Sequence, residues 1–150
     1  MKSSLRFILL AVWVSFGARN PSAQVGPPAP ADTSAFRGSV FEILQQKPLP
    51  YEENFSSLPV GRDSTQSVNL VQIRQKLGRH YHAEHDEIIY IISGRGIMTV
   101  GSEIRPIQPG DVVVVPRRTA HGIENRAPEP LVALSVMSPP FDGKDRILVE

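Results

Sequence analysis

From residue 68 onward the apolar residues come in short runs rich in valine and isoleucine, each closed by turn residues. No stretch after Gly38 sustains the period of an amphipathic helix. The pattern predicts strands over 68–75, 87–92, 97–100, 103–107, 112–115, 121–125 and 131–137. Gly94 and Gly96 punctuate one connection, and Gly101-Ser102 makes a two-residue hairpin loop. Pro109-Gly110 puts proline and glycine at the two central positions that a type II turn prefers. Many short strands with such turns build an all-β sandwich or barrel rather than alternating βαβ units. Between Phe36 and Leu58 the apolar pieces are broken by Pro48 and Pro50, and one or two edge strands are expected there.

The first residues have a different pattern. Lys2 and Arg6 precede an apolar run from Phe7 to Phe16, and small and polar residues follow. That is the layout of a secretory signal peptide, and the run is too short for a transmembrane span, which takes roughly 20 apolar residues. Ala23 is the expected last residue of the signal, so residues 1–23 are read as signal peptide. Residues 24–35 (QVGPPAPADTSA) are poor in groups that can be buried and are expected to form a flexible linker. Residues 36–150 remain for one β-barrel domain, and an exported, periplasmic or secreted location is expected.

Charge and cysteine usage change this picture little. The 150 residues carry a net charge of +1, and the part after residue 23 keeps 13 basic and 15 acidic side chains, a net −2. Such a balance, without a basic stripe interleaved with aromatics, argues against nucleic acid as a partner. There is no cysteine, so neither a disulfide nor a thioether-linked lipid is available, and stability outside the cytoplasm must come from packing. After removal of the signal peptide no membrane partner is expected.

The chemistry concentrates in one place. Three of the four histidines fall within G-R-H-Y-H-A-E-H-D-E. In a strand, residues two apart share a face, so His80 and His82 can present two imidazoles to one point while Tyr81 turns away. Glu87 opens the next strand after a short turn, and His121 opens another after Pro116. Three neutral imidazoles and a carboxylate suit one divalent transition metal, whether Fe, Mn, Ni, Cu or Zn, with coordination positions left for a ligand. The candidate metal ligands are therefore His80, His82, Glu87 and His121.

These residues sit in a pattern that resembles the cupin superfamily, whose motifs are written G-x5-H-x-H-x3,4-E-x6-G and G-x5-P-x-G-x2-H-x3-N. His80, His82, Glu87 and Gly94 match the first, and Gly110, Pro116, His121 and Asn125 match the second with every spacing kept. The leading glycine of the first motif is replaced by Arg74, with Gly78 nearby, and the internal glycine of the second by Arg118. The resemblance covers residues 66–138 and implies a double-stranded β-helix (jelly-roll) barrel with the metal near its open end. It also implies frequent dimers, so a homodimer is one expected assembly.

His85 has the wrong parity and lies in the turn, so a rim or solvent-exposed position is expected, with a proton-shuttle role as the alternative. Glu84 and Asp86 read as solvated turn acids, and Arg95, Arg117 and Arg118 as surface charges. The pair before His121 could line the rim and attract an anion. Gln72 or Arg74 could face the barrel interior, although an outward polar face is the simpler reading. Ile89 and Ile91 share parity with Glu87 and are expected to form an apolar cavity wall.

Two functions follow. One is a metal-dependent enzyme acting on a small molecule, dioxygenase-type as many small cupins are, or an isomerase or lyase. The other is a non-catalytic protein that binds a metal, a small metabolite or a sugar. The intact ligand set favours the enzyme.

Overall fold

A computed structural model describes residues 38–149. The expected signal peptide and linker lie outside the described residues. Ten strands form two antiparallel five-stranded sheets. The strands are β1 (Phe55–Arg62), β2 (Ser67–Ile73), β3 (Lys76–Tyr81), β4 (Asp86–Ser93) and β5 (Gly96–Val100), then β6 (Glu103–Ile107), β7 (Val112–Val115), β8 (His121–Asn125), β9 (Leu131–Ser138) and β10 (Ile147–Leu148). One sheet runs β1-β2-β9-β4-β7 and the other β10-β3-β8-β5-β6. Their inner faces share one core, to which Ile73, Ile89 and Ala133 contribute from the first sheet and Met98, Ile107 and Ile123 from the second. This is the two-layer arrangement of a jelly roll.

The period-two reading is visible along β4. Glu87, Ile89 and Ile91 are 7%, 4% and 0% exposed, whereas Ile88 and Tyr90 between them are 45% and 44% exposed. The turns follow their residues. Gly101 has φ +58 at the first central position of the β5–β6 hairpin, and Gly110 has φ +95 at the second central position of its turn.

Three expectations are corrected. The first concerns residues 36–58, where α1 (Val40–Gln46) takes the place of an edge strand, and the one edge strand, β1, begins only at Phe55. Val40, Ile43 and Leu44 stand at i, i+3 and i+4 and are the half-buried positions of that helix, a stripe too short to register as a period. Pro59 is tolerated in β1 because the strand pairs with β2 alone, and a register shift follows it.

The second correction is that 68–75 is not one strand. The chain leaves the first sheet at Ile73 and enters the second as β3, which lacks the apolar alternation of the others because Lys76, Gly78 and Arg79 interrupt it. Arg74, at this crossing, donates through Nε to Glu53 O at 3.1 Å and through Nη2 to Leu49 O and Pro50 O, both at 3.0 Å.

The third concerns Gln72. It does point away from the barrel interior, but it is buried, because the segment after α1 covers that face. Its side chain accepts from Leu49 N–H and donates to Lys47 O, both at 3.0 Å. Gln72 and Arg74 thus fasten residues 47–53 to the sheet and take no part in the cavity.

Candidate metal centre

His80 and His121 are directly paired across β3 and β8, and their ring centroids lie 4.3 Å apart. His82 follows β3 on the same side, with its ring centroid 5.1 Å from His80 and 5.4 Å from His121. Glu87 approaches from β4 in the opposite sheet, so the site bridges the two layers. All four side chains are buried. One nitrogen from each of the three histidines lies within 4.8 Å of the others, a spacing at which the group could hold a metal ion.

Each ring is fixed from behind. The Nδ1–H of His80 donates to Gly78 O at 2.9 Å, that of His121 to Thr119 O at 3.0 Å, and that of His82 to Asp145 O. A carbonyl can only accept, so Nδ1 carries the proton in all three, and every Nε2 presents a lone pair. Burial, the largest influence, lowers the pKa of His80 to about 4 and also lowers that of His82, which keeps these imidazoles neutral.

Glu87 lies beside two of the three rings. Its Oε2 is 3.0 Å from His121 Nε2 and 3.7 Å from His82 Nε2. Burial pushes its pKa up, but the hydrogen bond from Ser135 and the polar surroundings of His121 and His82 outweigh it, and the net shift is downward. Ser135 Oγ donates to Oε1 at 2.5 Å. Oε2 and His121 Nε2 are both buried without a hydrogen-bond partner. Two acceptors held face to face in a dry site repel unless a cation lies between them. The residues present therefore fit a divalent ion by donor type and by these two orphaned atoms.

The cluster lies on a cavity of about 450 Å³. Ile89 contributes to its apolar lining together with Phe55, Val71, Leu77 and Met137. Ile91 belongs instead to the core beneath.

His85 is not solvent-exposed. It is 6% exposed and donates through Nδ1 to Asp145 Oδ2 at 2.6 Å, and it does not line the cavity. Asp86 is engaged with Arg117 at 2.6 Å, and Arg118 directs its guanidinium to Ala83 O, so neither arginine lines the cavity. Arg118 also explains the missing glycine of the second motif. It adopts φ +65, the conformation a glycine would supply, and its N–H donates to His82 O at 2.6 Å.

Sequence reasoning passed over Asp145 and Arg146. Asp145 accepts from Ala83 N–H at 2.9 Å and from Glu84 N–H at 2.8 Å as well as from His85, and its own carbonyl holds His82. Burial raises its pKa, but these hydrogen bonds outweigh it and bring the carboxyl down to about 2. Arg146 lines the cavity, with its guanidinium 5.2 Å from the Phe55 ring. No local signal marks either residue, because both reach the site only when the chain returns as β10 alongside β3.

The fold is a jelly roll whose three clustered histidines could hold a metal ion. The family model for the cupin domain matches residues 69–137, and the chain belongs to the cupin superfamily. An uncharacterized protein of Methanocaldococcus jannaschii is 36% identical over 81 residues, which cover 54% of this chain and 65% of that protein. A glucose-6-phosphate isomerase of Thermococcus gammatolerans is 41% identical over 109 residues, with 63% of this chain and 58% of that protein covered. The chain thus spans less than two thirds of the length of either curated relative. Among solved structures, KdgF from Halomonas sp. superposes with a TM-score of 0.59 at 24% identity, covering 65% of this chain and 91% of that one. That likeness speaks to the fold.

Proposed function

We propose that this protein is a metal-dependent enzyme that isomerises or eliminates from a small, oxygen-rich molecule, with His80, His82, His121 and Glu87 holding the ion. The observation that carries this reading is the convergence of three lone-pair-bearing Nε2 atoms beside an ionised carboxylate on a ligand-sized cavity. When bound there, a divalent ion supplies Lewis-acid polarisation of a carbonyl or hydroxyl oxygen.

The remaining steps belong to the chain. Ser135 holds one oxygen of Glu87 and thereby aims the other into the site. The carbonyls of Gly78, Thr119 and Asp145 hold the three rings in one tautomer. Ile89, Met137 and Phe55 exclude water, which strengthens every charge interaction inside. The similarity to a sugar-phosphate isomerase supports non-oxidative chemistry over the dioxygenase-type alternative.

The test is elemental analysis of purified protein, followed by NMR-monitored turnover of a panel of hydroxy-carbonyl compounds with and without the metal. Conversion that needs the metal and disappears in His82→Ala supports the enzyme. Unchanged activity in a metal-free His82→Ala protein contradicts it, and consumption of O2 during turnover returns the reading to oxygenase chemistry. We also propose export, supported by the charge and apolar pattern of residues 1–23. Protein recovered outside the cytoplasm with Gln24 as its first residue tests that.

A further inference from the structure

Arg146 faces the cavity, and among the described residues no acid neutralises it. Its Nε is buried without a hydrogen-bond partner, and Glu87, the acid that lines the same cavity, makes no ion pair with it but accepts from Ser135 and faces His121 and His82. Arg146 is half-buried, and a guanidinium partly withdrawn from water normally finds a carboxylate, because an unpaired charge away from water is costly. Contact with the Phe55 ring offsets part of that cost but leaves the buried Nε–H without an acceptor. Burial accordingly depresses the Arg146 pKa.

The backbone that carries Arg146 is also held in place from both sides. Asp145 before it is tied to Ala83, Glu84 and His85. Ile147 and Leu148 after it pair with Tyr81 and His80, and Val149 N–H donates to Arg79 O at 3.0 Å. Ser57, two residues from Phe55 along β1, and Asn69 add uncharged polar groups to the same lining.

We propose that Arg146 binds the anionic end, a carboxylate or a phosphate, of the small molecule this cavity takes, and so sets the substrate class as an oxyanion-bearing one. The proposal rests on reading the cavity as the substrate site. A planar guanidinium offers two parallel N–H donors to either anion. With a divalent ion in place, Glu87 cancels part of its charge and Arg146 keeps the cavity positive, which favours a negatively charged guest.

The test is calorimetric titration of the full chain, metal-free and zinc-loaded, with inorganic phosphate in one arm and acetate in the other. Arg146→Gln is compared with Arg95→Gln, which removes the same charge from an exposed position. The proposal expects at least a tenfold loss of affinity in Arg146→Gln in both metal states, no change in Arg95→Gln, and an intermediate value in Arg146→Lys. The arm with the tighter binding names the anion. In the wild-type protein, NMR should show the Arg146 Nε–H resonance, identified by its loss in Arg146→Lys, moving on addition of the tighter-binding probe. That readout does not depend on Arg146→Gln folding.

Equal affinities in wild type and Arg146→Gln overturn the proposal, as does a wild-type protein that binds neither probe. Failure of the metal reading looks different. In that case the protein takes up no zinc while Arg146-dependent anion binding persists.

Discussion

Asp145 Oδ2 accepts from His85 Nδ1 at 2.6 Å across 60 residues of sequence, and this contact closes the turn that carries the histidine cluster onto the returning C-terminal segment. The same residue accepts the Ala83 and Glu84 N–H groups and, through its carbonyl, orients His82. Asp145→Ala would leave the Ala83, Glu84 and His85 donors without partners and keep only the backbone carbonyl that faces His82, now on a segment no longer tied to the turn. It is expected to cost about 2–3 kcal/mol of stability and to weaken metal binding by roughly 10- to 100-fold. Urea denaturation and chelator competition measure the two effects, and a variant with wild-type metal affinity would show that the site does not depend on the carboxylate ties to residues 83–85.

Asp145 and Asp86 also contribute to the acid sensitivity of the fold. Asp86 is lowered to about 2 by the side-chain and backbone hydrogen bonds of Arg117, and Asp145 is brought to about 2 as described above. Their ordinary value is 3.8. A carboxyl depressed in the folded state contributes stability that is complete above its unfolded pKa and is lost as pH falls through the folded one. Melting temperature is therefore expected to fall between about pH 4 and pH 2, and Asp86→Asn should flatten part of that slope. Parallel wild-type and Asp86→Asn curves over this range would contradict it.

Much of this could be read from the sequence, and what could not has a common cause. Strands whose apolar residues alternate or run continuously, such as β4 and β7, declare themselves. β3 does not, since Lys76, Gly78 and Arg79 break its pattern, and α1 spans only seven residues. The histidine cluster was legible because its residues are close in sequence and the separate His121 sits at a fixed motif spacing. Asp145 and Arg146 come from a segment whose return to the site depends on the finished barrel, and no local pattern encodes that. The same holds for His85, whose burial is caused by Asp145.

Gly94 has φ +87, and a Cβ placed there would lie 2.7 Å from Leu131 Cα. Gly94→Ala must therefore both adopt a left-handed backbone and displace the start of β9. A loss of roughly 2–4 kcal/mol is expected from the urea midpoint. A change under about 0.5 kcal/mol, the range of neutral surface substitutions, would contradict the close approach.

Arg118 presents the opposite case. Its φ of +65 is unfavourable for a residue with a Cβ, and its side chain makes only a 3.4 Å contact with Ala83 O. Arg118→Gly is expected to stabilise the protein by about 0.5–1 kcal/mol through relief of the left-handed conformation, which costs an L-residue roughly 1–2 kcal/mol. A lower urea midpoint in Arg118→Gly would mean that the side chain contributes more than its one contact suggests.

The central claim is that the three imidazoles and Glu87 form one metal site. Metal per chain, measured by elemental analysis after reconstitution with cobalt and gel filtration, tests it most directly in wild type and in His121→Ala. The expected result is one cobalt ion per wild-type chain, with the d–d absorption of a mixed nitrogen–oxygen ligand set, and loss of the ion in a His121→Ala protein whose circular dichroism is unchanged. A wild-type protein that takes up no first-row divalent ion, or a folded His121→Ala variant that retains it in full, would contradict the account.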